Sequence, residues 1–310
     1  MTRNPPSLLA LAVLTLLSAP LAIAQQASTP DQQQPFTQAS HKSFFASYEA
    51  RVLAEEAKQP HWATPLITTN ARIQQGFRAD FLRQTTPTGA TTWNLGNTKG
   101  IQTIPFPRTE IRISPPPFFE HSAPQSSQAA PPNGFGDIAF RIKYRLYGSN
   151  EQHHNAILTA EFSATIPTGK SGNGSCCAIL TPAIGLGKGF RNVAWQTTFG
   201  AVLPASNTKG LGRSLTWNNA MEYHATPILW IQDEFNSTFY LGGKNAGKQQ
   251  TFNTPGIIIS RIPLTFGNRL RGRPNHPKPL AISLGAGEQI ALTHFNTYNH
   301  SPVFTARLRF

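Results

Sequence analysis

Ionisable side chains recur at alternate positions through much of this chain. They are Arg72, Arg78, Asp80, Glu110, Arg112, Asp137, Arg141, Lys143, Arg145, Glu161, Glu222, His224, Glu234, Arg307 and Arg309. The clearest stretch is 135–146, FGDIAFRIKYRL, where Asp137, Arg141, Lys143 and Arg145 alternate with Ile138, Phe140, Ile142, Tyr144 and Leu146. Period-two alternation makes a strand with one apolar and one charged face. Two uses follow for a charged face with both signs and a cationic excess. The charges could pair as salt-bridged filling that closes a small barrel, or line a wet passage that favours anions. The elements carrying them decide what they do, because alternation alone does not say which face is inside.

Nucleophilic chemistry has thinner support. A barrel-borne acyl hydrolase would need a hydroxyl nucleophile beside a histidine. His294 and His300 stand near Thr293 and Ser301, and Glu222 shares a face with His224, but no G-x-S-x-G elbow occurs. His153-His154 and His276 lack metal-ligand spacing. Thr168-Gly169-Lys170 lacks the first glycine of a phosphate loop. No catalytic residue, metal or cofactor is expected. Cys176 and Cys177 are the only cysteines and are adjacent, which excludes a disulfide-stapled fold and reads as two loop thiols.

Charged residues make up only 13% of the chain, Pro and Gly number 26 and 24, and mean hydropathy is −0.28. That mixture suits a turn-rich sheet protein, and a transmembrane barrel in particular, where only alternate residues need be apolar. The formal charge of +13 could serve nucleic acid. However, the cations are scattered singly along strands and no DNA-binding motif is present, so nucleic acid is not an expected partner. At the N-terminus, Arg3, the apolar run 8–17 and Ala22-Ile23-Ala24 read as a cleaved signal peptide. Residues 25–37 have little to bury, and 43–58 read as a short amphipathic helix capped by Ser43.

Alternation begins after Pro65 and gives about twelve strands ending at Phe310, with a turn-rich break over 85–96. Pro115-Pro116-Pro117 is expected to end pairing, 242–254 to form a polar loop, and Asp233, which falls on the apolar face, to mark a nearby bulge or register error. The expected fold is all-β: a transmembrane antiparallel up-and-down β-barrel with a short N-terminal helical arm. Residues 1–24 would be the signal peptide, 25–64 a periplasmic arm and 65–310 the outer-membrane barrel. With both ends periplasmic, tight links fall inside and long loops outside. The same register puts Tyr144, Trp195, Tyr223 and Phe310 on the apolar face near the periplasmic boundary and Trp217 near the opposite one. These are the expected lipid-interface aromatics. Expected partners are outer-membrane lipid and lipopolysaccharide, the barrel-insertion machinery through the strand ending in Phe310, and small solutes.

Several short motifs carry a resemblance. They are Gly134-Phe135-Gly136-Asp137, Tyr144-Arg145-Leu146, Ile166-Pro167-Thr168-Gly169, Trp62-Ala63-Thr64-Pro65, residues 105–110 (PFPRTE), and Thr226-Pro227 with Glu234. In order and spacing they are similar to the outer-membrane transporter family labelled "meta-pathway of phenol degradation". The resemblance covers roughly 62–310. It implies a barrel that transports small solutes, hydrophobic or aromatic compounds among them, without catalysis. The other readings are an outer-membrane lipid-modifying enzyme and a structural or surface-binding barrel.

Overall fold

The computed structural model describes residues 44–124, 129–170, 172–264 and 280–310. The signal peptide, the polar stretch to residue 37, Ser43 and the whole 265–279 connection with His276 lie outside them. The helix α1 spans Phe44–Ala57. Fifteen strands follow: β1 (Gly76–Thr85), β2 (Thr91–Gly96), β3 (Ile101–Phe106), β4 (Thr109–Ser114), β5 (Phe118–Ser122), β6 (Gly134–Phe135), β7 (Ile138–Ser149), β8 (Ala156–Ile166), β9 (Ile179–Phe190), β10 (Val193–Pro204), β11 (Ser214–His224), β12 (Leu229–Tyr240), β13 (Gln249–Pro263), β14 (Ala281–Ala291) and β15 (His300–Arg309).

These strands form one antiparallel sheet that closes where β15 meets β1. β2 and β3 both pair with β1, β5 continues β4, and β6 leads into β7, so three staves of the wall are interrupted. Joining those segments gives a closed barrel of twelve staves. Closure leaves no sheet edge to protect. One end of the barrel carries α1 and the links between β3 and β4, β9 and β10, and β11 and β12. The other carries the connections 86–90, 205–213, 241–248 and 292–299 and the described parts, 123–124, 129–133, 167–170 and 172–178, of two more.

Side-chain alternation fixes the sidedness. Phe140, Phe162 and Phe304 are 39%, 46% and 51% exposed on the outer wall, whereas Glu110, Lys143, Glu222 and Glu234 are at most 2% exposed. Apolar side chains therefore face out and charges face in, the inverse of a soluble sandwich. Among the described residues no helix is long and apolar enough to cross a membrane.

Several local expectations change. Thr91–Gly96 pairs with β1 across a tight connection and is a strand. Asn97 and Thr98 then take positive φ and break the stave before β3. Pro115-Pro116-Pro117 interrupts pairing without ending it, since Phe118–Leu95 and its neighbours resume the ladder. β13 begins at Gln249, inside the expected polar loop, because Gln250 and Thr254 point into the barrel. Asp233 marks no bulge: β12 keeps unbroken register with both neighbours, and Asn253 Nδ2 donates to Asp233 Oδ1 at 2.6 Å on the outer face.

The largest change concerns the N-terminal segment. The barrel wall starts at Gly76, not at residue 65, and residues 59–75 run through the lumen. Leu66, Ala71 and Ile73 have no exposed surface. Ile73 therefore does not join the outer face with Phe77; it packs with Val52, Tyr48 and Ile104 beneath α1.

Candidate functional site: the occupied lumen

A polypeptide inside a barrel brings backbone N–H and C=O groups that need partners away from bulk water. Here the charged inner wall supplies them. The Glu234 carboxylate accepts the consecutive N–H groups of Leu66, Ile67 and Thr68 at 2.6, 3.0 and 2.5 Å. Gln232 Nε2 adds a further donor at 2.6 Å. Successive N–H groups converging on one carboxylate form an anion-binding nest in which the wall supplies the anion.

Cations take the carbonyls. Arg78 Nη2 donates to Leu66 O at 2.5 Å, Arg307 to Thr64 O and to Pro65 O, the latter at 2.7 Å. Lys143 Nζ reaches Asn70 O and Arg72 O at 2.8 and 3.0 Å. Glu110 accepts the Gln74 N–H at 2.7 Å. Gln196 joins both sides of the segment, donating to Ala63 O and accepting from Ala71 N–H, each at 3.3 Å.

Inner-wall glycines make the seats. A Cβ at Gly256, Gly285 or Gly287 would lie 2.5–2.7 Å from a Leu66 methyl, and one at Gly187 would lie 2.4 Å from Trp62. The helix end is fastened as well. Arg145 donates to Glu55 O at 2.5 Å and pairs with the Glu55 carboxylate, and Arg309 pairs with Glu56 at 3.2 Å. Burial opposes the Glu55 charge, but Lys58, Arg145 and the Arg108 N–H outweigh it and hold the carboxyl below its ordinary value.

The ionisable residues singled out from the sequence thus separate by task. Arg78, Glu110, Lys143, Glu234 and Arg307 hold the lumen segment, and Arg72 belongs to that segment. Arg145 and Arg309 hold α1. Asp80 binds Arg78 at 2.7 Å and accepts from Thr305 Oγ1 at 2.6 Å. Glu222 accepts from Gln196 at 2.7 Å, and His224 stacks on Trp230 at 4.2 Å. Asp137 stands at the loop end and accepts the N–H groups of Gly169 and Ser175, pinning the 167–178 connection at 2.8 and 2.7 Å. Arg141 pairs with Glu161 at 3.5 Å and with Ser163 at 3.0 Å. Arg112 has no hydrogen bond or contact ion pair among the described residues, though Glu110 and Glu161 act on its charge from farther off. Tyr144, Trp195, Trp217, Tyr223 and Phe310 are all exposed.

The hydroxyl and histidine pairs read for hydrolysis do not assemble. Ser301 is buried and donates to Pro302 O, while His300 is exposed and bonds Glu288 at 2.9 Å. A different chain does form at the loop end, with Thr92 Oγ1 3.0 Å from His121 Nδ1 and His121 Nε2 2.6 Å from Asn173 Oδ1. Cys176 and Cys177 are free, with their sulfurs 3.5 Å apart. Among the described residues no three His, Cys, Asp or Glu side chains cluster as a metal site.

Sequence reasoning passed over the lumen segment, Lys99 and the Thr92–His121–Asn173 chain. One signal for the first was present: glycines at 185, 187, 285 and 287 fall on the polar parity of their strands, where a close neighbour would need them.

No family model matches the chain, and no curated protein does. Among solved structures, the COG4313 outer membrane channel from Pseudomonas putida F1 is similar at 13% identity and a TM-score of 0.51, covering 80% of this chain and 98% of that one. The NanC porin is similar at 10% identity and a TM-score of 0.46, over 75% of this chain and 98% of that one. The likeness is one of fold, and the chain itself forms a closed antiparallel barrel of twelve staves.

Proposed function

We propose that the protein is an outer-membrane channel for small solutes whose lumen is shut by its own residues 59–75. The observation that carries this reading is the inverted sidedness of the wall combined with a lumen segment held by polar contacts. Exposed Phe140, Phe162 and Phe304 suit a lipid surround. The segment is fastened chiefly by hydrogen bonds and ion pairs, which water can replace as it leaves. In this reading Tyr144, Trp195, Tyr223 and Phe310 stand at one lipid boundary and Trp217 towards the other. Hydrophobic or aromatic solutes belong to the proposal through the family resemblance.

Planar-bilayer recording tests it. Wild type should conduct weakly, and Glu234→Gln, which removes the charge facing three N–H groups, should raise conductance or open time several-fold. Silence of both proteins in a bilayer that accepts them would defeat the reading.

The Thr92–His121–Asn173 chain favours a second reading, an ester hydrolase, because a hydroxyl, an imidazole and an amide stand in the order that nucleophilic catalysis uses. Hydrolysis of a chromogenic acyl ester that disappears in Thr92→Val and His121→Ala would establish it, and activity equal to a protein-free control would dismiss it.

A further inference from the structure

On the inner wall, β4 and β7 place Arg112 directly opposite Arg141, and β1 and β15 place Arg78 directly opposite Arg307. Like charges facing one another across a ladder are destabilising unless something intervenes. At the Arg78–Arg307 pair both guanidinium groups have partners, Asp80 and the Leu66 carbonyl on Arg78 and the Thr64 and Pro65 carbonyls on Arg307, with only Arg307 Nε left without an acceptor. At the Arg112–Arg141 pair the compensation is one-sided. Glu161 and Ser163 serve Arg141, and Glu110 lies beside Lys143, 3.7 Å away.

Arg112 is only 6% exposed. Its Nε is enclosed without an acceptor, and its terminal nitrogens, equally without partners among the described residues, retain what exposure the side chain has. Lys99, in the break between β2 and β3, lies within electrostatic reach of Arg78, Arg112 and Arg141, and its ammonium is 4.0 Å from Asp80. With Glu110 and its partner Lys143 included, the patch sets five cations, Arg78, Lys99, Arg112, Arg141 and Lys143, against the three carboxylates Asp80, Glu110 and Glu161, an excess of two. Arg112 is the member that has no hydrogen bond or contact ion pair among the described residues, Glu110 and Glu161 acting on it only from farther off.

We propose that Arg112, with Arg141 and Lys99, forms an oxyanion-binding site on the lumen wall, taking a carboxylate or phosphate group of a small solute. A guanidinium fork accepts two oxygens of such a group in one plane, and neighbouring cations supply the remaining contacts. The site rests on the channel reading only for its purpose, as the place where a permeating solute is held; binding itself does not require transport.

Titration calorimetry on the full chain in detergent tests the site without conductance. The probes are sodium benzoate and inorganic phosphate at constant chloride. Wild type should bind at least one of the two, and Arg112→Gln should weaken that binding by about tenfold or more. Lys209→Gln, on the exposed 208–211 helix away from the lumen wall, should leave it unchanged. Benzoate binding alone assigns the site to carboxylates, and phosphate binding alone assigns it to phosphates. Thermal unfolding without either anion separates a ligand site from a structural role: Arg112→Gln should melt at the same temperature as wild type or higher, since it removes a buried charge without a contact partner, and should lose the rise that the anion gives wild type. Absence of binding by wild type, equal affinity in Arg112→Gln, or a clearly lower melting temperature for that variant without anion would each overturn the proposal. Anion binding in a protein that does not conduct would retain the site and remove the channel reading.

Discussion

Glu151 and His61 fasten the end of the lumen segment at one point of the barrel rim. The His61 N–H and ring both meet the Glu151 carboxylate, with the ring nitrogen 3.1 Å from Oε2, and Arg261 donates to His61 O. Burial alone would raise the Glu151 pKa, but the His61 side-chain and backbone donors outweigh it and bring it down to about 2. The sign follows from linkage. A carboxyl lower in the folded state than its ordinary 4.5 adds stability that is fully present above about pH 4.5 and disappears as pH falls towards 2. The pair is about two-fifths exposed, so solvent screening keeps the effect local. Hydrogen-exchange protection factors at residues 59–63, corrected for the intrinsic rate, should therefore fall between pH 4.5 and pH 2.5, and Glu151→Gln should show the lower protection already at pH 7. Protection that stays constant over that range would refute the assignment.

At the scale of elements, the lumen segment and the wall are shaped for one another, and Leu66 is where the fit is tightest. Gly256, Gly285 and Gly287 lie on β13 and β14, and each would put a Cβ well inside contact distance of its methyl groups. Gly285→Val should unseat the segment while leaving the strand pairing of β14 intact, because β-branched residues suit strands. The expected result is protease cleavage between residues 59 and 75 that wild type resists, together with higher conductance; an unchanged digest would show that Leu66 can move aside cheaply. The wall itself was largely legible in the sequence. Period-two alternation marked β7, β8, β10, β11 and β15, and the tight links fell where Arg108 and Arg191 take positive φ. The lumen segment was not legible, and the reason is physical. Arg72, Ile73 and Gln74 alternate as a strand would, yet their partners are the side chains of Lys143 and Glu110 and the helix above, and no neighbouring strand. Alternation reports two environments, and a chain threaded through a lined lumen also has two. Similarly, Asp233 looked like a register error because an outward carboxylate is costly in lipid, but the partner that tolerates it, Asn253, is on the adjacent strand and far off in sequence.

At the scale of the whole molecule, membrane placement rests on the outer surface. A soluble protein that exposes Phe140, Phe162 and Phe304 would gain from losing them, because exposed rings order water and invite association. A barrel in lipid has the opposite preference. Phe162 sits near the middle of β8, and its neighbours around the wall, Ile142 and Pro182, are also exposed. Replacing Phe162 by Arg should lower stability in phospholipid vesicles by about 2–4 kcal/mol, with a smaller loss for the same change at Tyr144 or Tyr223 near the boundary. Reversible urea unfolding in vesicles measures both. The inner face provides the matching control: Thr198, buried in the lumen with its hydroxyl 3.2 Å from Thr69 O, should tolerate Ser with little loss because the hydroxyl is kept. If Phe162→Arg instead left stability unchanged or improved it, and the protein stayed monodisperse without detergent, the outer wall would be facing water. The lumen segment would then be a core strand-filler, and the conductance expected of Glu234→Gln would have no bilayer in which to occur.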